Sequence, residues 1–164
     1  MEIKKFNFSK SVFVFDLDDT LYQEKDYQLS GFKEIIRFLN NLYKIKLRLD
    51  LNNLIKTKKN ILEIISKKAK LSNDIIESLI WIYRLHDPNI KLKKKTKKNL
   101  FKIKKDSLET IILTDGRSIT QRLKLKSLGL NNFKSMISEE YNDKKPSLKR
   151  FKIIMKNIPA NNYI

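Results

Sequence analysis

The chain has 164 residues, enough for one domain with a buried core or one domain carrying an insertion. It holds 36 Lys and Arg against 18 Asp and Glu, for a formal net charge of +18, and it has no cysteine, which excludes a disulfide framework and any thiolate metal site. No apolar run is long enough to cross a bilayer as a helix and no signal-peptide pattern opens the sequence, so the chain reads as cytoplasmic.

The positive charge points first to nucleic acid. Its composition argues otherwise. Arginine, the better residue for bidentate recognition of phosphates and base edges, occurs only at Arg37, Arg48, Arg84, Arg117, Arg122 and Arg150. Lys, Asn and Ile are abundant together, as in a compositionally biased genome. A solvated lysine surface is therefore preferred, and a basic nucleic-acid-binding protein stays as the weaker alternative.

In chain order, residues 11–16 form an apolar, β-branched and aromatic run, which predicts a buried strand of parallel type. From 24 to about 90 the period becomes helical. Phe32, Ile35, Ile36, Leu39, Leu42 and Tyr43 share one face, and Leu51, Leu54, Ile55, Ile61, Leu62, Ile65 and Ala69 continue the pattern. After Ser72 a third helical run also contains Trp81, Ile82 and Leu85, making it apolar nearly all round and predicting burial on several sides. Residues 91–105 are dense in lysine, but Leu92, Thr96, Leu100 and Ile103 mark one helical face with the lysines on the other.

A second strand is predicted from Glu109 to Leu113, ending in Thr114-Asp115-Gly116-Arg117. Ser118 and Gln121 match a capping box for the next helix, and Gly129 suits its C′ position. Phe133 to Ser138 reads as a third strand, and Lys144-Lys145-Pro146-Ser147 precedes a last amphipathic helix with Leu148, Phe151, Ile154 and Met155. Strands alternating with helices predict an α/β fold with a parallel sheet.

Chemistry concentrates at the end of the first strand. Asp16 and Asp18 are spaced i and i+2, so strand alternation puts them on one side, at the carboxyl end where open α/β sheets place their ligands. Such a pair suits a nucleophile beside a proton donor. An EF-hand calcium loop is excluded, because Leu21 and Tyr27 stand where Gly and Glu would be needed. Taken singly, Thr114 reads equally as a strand-end residue and Lys145 as a surface lysine.

The order Phe15-Asp16-Leu17-Asp18-Asp19-Thr20-Leu21, then Thr114-Asp115-Gly116, then Lys145-Pro146 before a helix resembles the haloacid dehalogenase-like hydrolase superfamily. The resemblance implies a Rossmann-like parallel sheet core over residues 1–23 and 91–164, with an inserted all-helical cap over 24–90. It implies that Asp16 is a nucleophile forming an aspartyl-phosphate and that Asp18 is the general acid and base. Thr114, with the backbone N–H groups of Asp115 and Gly116, would hold a phosphoryl oxygen. Lys145, with Lys144 as its competitor, would neutralise the phosphate. Mg²⁺ would be held by the Asp16 carboxylate, the Asp18 backbone carbonyl and a later acid. The acid at position 18 favours phosphoryl chemistry on a small phosphorylated metabolite over dehalogenation. Arg84, His86 and Arg117 are candidates for substrate contact and, equally, ordinary helix-end and surface residues.

The resemblance also implies a fourth motif, Gly-Asp with a further Asp, at the end of the next strand. After Lys145 the sequence contains no Asp or Glu. The core is therefore expected to be incomplete at its C-terminus, with the first strand missing a neighbour and the cation missing a ligand. Asp115 and Asp143 are the substitutes to consider, and an inactive fragment or degenerate relative is the alternative to an active phosphatase.

Overall fold

A computed structural model describes residues 7–164. The first six residues, assigned to the core from sequence, lie outside the described part. The chain gathers into two compact units, one reaching Tyr22 and resuming over Lys91–Ile164, the other spanning Gln23–Ile90.

The first unit is built on a sheet of four parallel strands in the order β3-β2-β1-β4. These are β1 (Ser11–Phe15), β2 (Glu109–Thr114), β3 (Lys134–Ile137) and β4 (Asn162–Tyr163). In β1, Val12 and Val14 alternate with Phe13 and Phe15, so the two sets point to opposite faces. On one face Val12, Ile111, Leu113, Met136 and Ile154 form a buried cluster, joined by Phe151 of helix α8 (Lys149–Asn157). The Phe13 ring is stacked with Phe8 and Phe15, at centroid distances of 5.4 and 6.3 Å. Such an interior favours β-branched and aromatic residues, which is why the strands read clearly from sequence.

The first strand does have a second neighbour. Ser11 pairs with Asn162 and Val12 with Tyr163, and Val14 donates its N–H to the Ile164 carbonyl at 2.7 Å. The expectation of an open edge beside β1 is corrected over this stretch. The resemblance puts the start of a fourth strand at Asn162-Tyr163-Ile164, where β4 lies, although residues 162–164 show little apolar alternation of their own.

Helices α5 (Lys94–Asp106), α6 (Ser118–Ser127) and α7 (Ser138–Tyr141) complete this unit with α8. In α5, Leu100 is buried and the lysines are exposed apart from Lys104, as amphipathic spacing predicts. Helix α6 ends in a Schellman arrangement: Leu130 N–H donates to the Leu125 carbonyl at 2.8 Å while Gly129 takes φ +71°.

The second unit is all helical: α1 (Glu24–Tyr43), α2 (Leu51–Lys56), α3 (Ile61–Ala69) and α4 (Ile76–Leu85). Ile35, Leu39, Leu51, Ile61, Ile65, Ala69 and Leu79 make its core. The sequence predicts α4 to be buried on several sides, and this is corrected. Leu79 alone in α4 is fully buried, while Trp81 and Leu85 are about half exposed. Ile82 and Tyr83 pack on the helical core while half-buried, and Trp81 and Leu85 stand at the surface, so an apolar composition does not here amount to burial on every side. Among the described residues no helix is long and apolar enough to cross a membrane.

Candidate active site

Strand β1 ends at Phe15, and the chain turns at once: Leu21 N–H donates to the Leu17 carbonyl at 3.0 Å, and Asp18 bridges to Tyr22. Leu17 is fully buried between the two acids and anchors the turn. Asp16 and Asp18 therefore leave the sheet at its carboxyl end from a fixed base. Asp16 Oδ1 accepts from the Lys145 ammonium, 129 positions away, and Thr20 Oγ1 approaches Oδ2 at 3.4 Å. Lys144, the competing lysine, lines a neighbouring cavity instead.

Asp18 receives three side-chain donors. Lys124 Nζ lies 2.7 Å from Oδ1, the Tyr22 hydroxyl donates to the same oxygen, and Gln121 Nε2 donates to Oδ2 at 3.0 Å. Gln121 also donates to the Asp115 carbonyl at 2.8 Å. These partners correct the capping-box reading of Ser118 and Gln121. The residue before the helix is Arg117 with no side-chain cap, and Gln121 is buried in the site. Ser118 donates its N–H to Glu139 at 2.7 Å and its hydroxyl to Glu140. A carboxylate from α7 thus serves the α6 N-terminus in place of an internal cap.

The loop after β2 lies in the same region. Thr114 is buried, and its Oγ1 is one of two buried side-chain polar atoms without a hydrogen-bond partner among the described residues, the other being Gln121 Oε1. A buried hydroxyl left unpaired is unusual and marks a position suited to a ligand atom. Gly116 sits at φ +144°, a conformation that strains any side chain, and a Cβ there would come within 2.6 Å of Gln121 Nε2 and displace that amide. Its N–H donates to Ser138 Oγ at 2.9 Å, which differs from the expectation that it is offered to phosphate. The Asp115 carboxylate is likewise committed, with Oδ1 2.5 Å from Arg150 Nη2 and Oδ2 accepting the Lys145 N–H at 3.0 Å. Beside this loop a polar cavity of about 440 Å³ is lined by Gly116, Arg117, Glu139, Asn142, Asp143 and Lys144, among others. Arg117 lies 3.8 Å from Glu139 with more than half its side chain exposed.

The other two weak candidates, His86 and Arg84, belong to the helical unit. His86 is buried, its Nδ1 2.7 Å from the Tyr83 carbonyl and its Nε2 3.1 Å from Ser30 Oγ. Burial pushes its pKa below the ordinary histidine value, against opposing pulls from the Tyr83 carbonyl and the charges of Glu34 and Asp87. Nδ1 closes back on α4 and Nε2 ties the end of that helix to Ser30 of α1, a structural role. Arg84 places its guanidinium 5.9 Å from the Trp81 ring centre.

Mg²⁺ takes oxygen donors and is commonly held by one or two carboxylates together with phosphate oxygens and water. Asp16 has a carboxylate oxygen beyond the one on Lys145, and Asp18, whose carboxylate is engaged by donors, has its backbone carbonyl. Among the described residues no group of three or more His, Cys, Asp or Glu gathers to hold a metal. Asp115 and Asp143, the proposed substitutes, are both turned to Arg150. The donor chemistry fits a cation resting on the two aspartates and completed by substrate and water.

The side chains absent from the sequence-based site are Tyr22, Gln121, Lys124 and Arg150. Gln121 and Lys124 are spaced i and i+3, a signal that they share a face of α6, and Arg150 is the lone Arg in a lysine-rich helix.

A family model described as haloacid dehalogenase-like hydrolase matches residues 13–162. Among curated proteins, none matches the chain. Among solved structures, the protein named as the HAD-hydrolase YfnB of Bacillus subtilis, solved bound to magnesium, superposes with a TM-score of 0.59 at 23% identity, over 92% of this chain and 73% of its own. A HAD-superfamily hydrolase of subfamily IA from Geobacter sulfurreducens gives 0.61 at 14% identity, over 94% and 74%. CbbY from Rhodobacter sphaeroides, in complex with xylulose-(1,5)bisphosphate, gives 0.52 at 10% identity, over 95% and 76%. At these identities the likeness to the solved structures is one of fold.

Proposed function

We propose that this chain, which belongs to the haloacid dehalogenase-like hydrolases, is a magnesium-dependent phosphatase acting on a small phosphorylated metabolite in the cytoplasm. The observation that supports this best is the Asp16–Lys145 ion pair, which joins segments 129 residues apart at the sheet's carboxyl end, where β2 also delivers Thr114 and its unpartnered hydroxyl.

In this reading an Asp16 carboxylate oxygen attacks phosphorus. The ester P–O bond breaks with its electron pair going to the leaving oxygen, which takes a proton from Asp18. Water then gives its proton to Asp18 and attacks the aspartyl-phosphate, and the P–O bond to Asp16 breaks to release phosphate. Thr114 donates to a phosphoryl oxygen, and the Lys145 ammonium balances the charge that Asp16 and phosphate bring together. Asp16 and the Asp18 carbonyl would hold Mg²⁺, which when bound screens the phosphate charge and orients its oxygens. The helical unit would act as a cap that selects the substrate and excludes water.

The test is phosphate release from an aryl phosphate in the presence of Mg²⁺, comparing the protein with Asp16→Asn. Loss of the nucleophile removes turnover by several orders of magnitude, as for other members of a catalytic unit. Equal rates in the two proteins refute the assignment.

A further inference from the structure

Arg150 is 1% exposed, a full guanidinium taken out of water in a chain whose basic residues are overwhelmingly surface lysines. Its fork grips four groups. Nη1 donates to the carbonyls of Thr114, at 2.9 Å, and Met136, at 3.2 Å; Nη2 meets Asp115 Oδ1 and Nε meets Asp143 Oδ2 at 3.1 Å. The two carbonyls are at the carboxyl ends of β2 and β3. Burying an ion pair is rarely the cheapest way to fill a core, so such a group points to a geometric task.

We infer that Arg150 is a positioning residue that sets the Lys145 ammonium on Asp16 by way of Asp115. Asp115 has one oxygen on Arg150 and the other on the Lys145 backbone N–H, at 3.0 Å. Lys145 in turn reaches Asp16. The order is therefore Arg150, Asp115, Lys145 backbone, Lys145 ammonium, Asp16. Arg150 fixes Asp115 relative to two strand ends, and Asp115 fixes the start of the Lys145 side chain relative to the same frame. A lysine at 150 would offer a point charge and could not span two strand carbonyls and two carboxylates. Asp143 also binds the guanidinium and reaches Ser147, but it does not hold the Lys145 backbone as Asp115 does, so it shares the anchoring and not the positioning. The catalytic consequence rests on the phosphatase reading above; the positioning of Lys145 does not.

The experiment uses the full chain, with Asp115→Asn, Asp143→Asn and Arg150→Lys. Three quantities are read: hydrogen exchange at the Lys145 amide by NMR, the melting midpoint, and kcat and KM for an aryl phosphate with Mg²⁺. In Asp115→Asn the Lys145 amide exchanges about tenfold faster, as the loss of one charged acceptor implies. Its kcat falls about ten- to a hundredfold, the range for a partner that orients a working group. Arg150→Lys behaves the same way. Asp143→Asn melts lower but keeps Lys145 protection and kcat, which separates positioning from general anchoring. If the parent protein releases no phosphate while Asp115→Asn still loosens the Lys145 amide, the positioning stands and the phosphatase reading fails. Unchanged exchange at Lys145 in Asp115→Asn, or equal losses of kcat in Asp115→Asn and Asp143→Asn, overturns the inference.

Discussion

Lys124 Nζ and Asp18 Oδ1 stand 2.7 Å apart, and the lysine side chain is only 4% exposed against 21% for the aspartate. The pair spans 106 residues and ties the middle of α6 to the turn after β1. With Tyr22 and Gln121 it surrounds the Asp18 carboxylate with donors, so the acid is held in one orientation beside Asp16. A buried lysine costs desolvation energy that a leucine on the same face would avoid, and its return is the fixed geometry of Asp18.

Lys124→Met tests that role. Methionine fills the same volume and removes the buried charge, and Asp18 keeps two other donors, so the melting midpoint changes little. The loss of a fixed partner lowers kcat for an aryl phosphate about ten- to a hundredfold while KM stays near its parent value. A parent-like kcat would show that Tyr22 and Gln121 suffice to orient the acid.

The contrast between Lys145 and Lys124 shows what was legible in the sequence. Lys145 stands next to Pro146 in a recognisable order of segments, and Asp16 follows a strand that could hardly be anything else. Strand β2 declares itself as a continuous run buried on both faces, and helix α5 by period, because one of its faces is buried and the other is not. Lys124, Gln121 and Arg150 offer only an i, i+3 spacing and a lone Arg among lysines, neither of which says that the side chains turn inward. A lysine or arginine in an amphipathic helix normally belongs to the wet face, and only tertiary packing turns these inward. The three-residue spacing of Ser118 and Gln121 fits a local cap, but a glutamate from α7 supplies the helix terminus and frees the Gln121 amide for Asp18. The start of β4 was legible only through the order of motifs, since its pairing rests on backbone hydrogen bonds that leave no residue signature over so short a segment.

The helical unit has a pH dependence with a defined sign. Burial holds His86 below the ordinary value of about 6.5, and its neutral form matches its partners, Nδ1–H facing the Tyr83 carbonyl and Nε2 facing the Ser30 hydroxyl. The unfolded chain therefore binds the proton more readily than the folded one. Stability from this group is fully present above the unfolded pKa and is lost as pH falls from about 6.5 toward the lowered folded value. Trp81, the single tryptophan, lies in the same unit and reports its unfolding by fluorescence. The Trp81 melting midpoint falls on going from pH 7 to pH 5, and His86→Gln, although less stable at pH 7, shows a shallower fall. An unchanged slope in the variant would place the titration elsewhere.

Gly31 meets the same aromatic cluster. A Cβ there would fall 2.5 Å from Tyr83 Cδ2 and 3.2 Å from His86 Cε1. The Tyr83 ring has little room to retreat, since Tyr27, Phe32 and His86 lie at centroid distances of 5.4, 5.0 and 6.1 Å. Alanine gains about 1 kcal/mol of helix propensity over glycine. Overpacking a site this close costs about 1–3 kcal/mol, toward the upper end where the neighbour is pinned. Gly31→Ala is therefore destabilising by about 1–2 kcal/mol on balance. Denaturant unfolding followed at Trp81 measures it, and a more stable variant would mean that the cluster yields.

The lysine excess yields the last prediction. Helix α5 carries most of its lysines on the exposed side while Leu100 is buried, so the charge lies on the outer face of an ordinary packed helix. Lys104 is already engaged with the fold: its ammonium donates to the Asn132 carbonyl at 2.7 Å and lies 4.0 Å from the Phe133 ring centre. What remains is diffuse and contributed by flexible, strongly hydrated ammonium groups, a surface that attracts any polyanion without reading its sequence. Binding to labelled DNA duplexes, followed by fluorescence anisotropy, is accordingly weak at about 50 mM salt, gone by about 200 mM, and the same for unrelated sequences. The steep salt slope and the absence of sequence preference are both required, because counterion release alone produces the first and base contacts would break the second. Tight, sequence-selective binding that survives about 200 mM salt would overturn this account and make the basic face an interface in its own right.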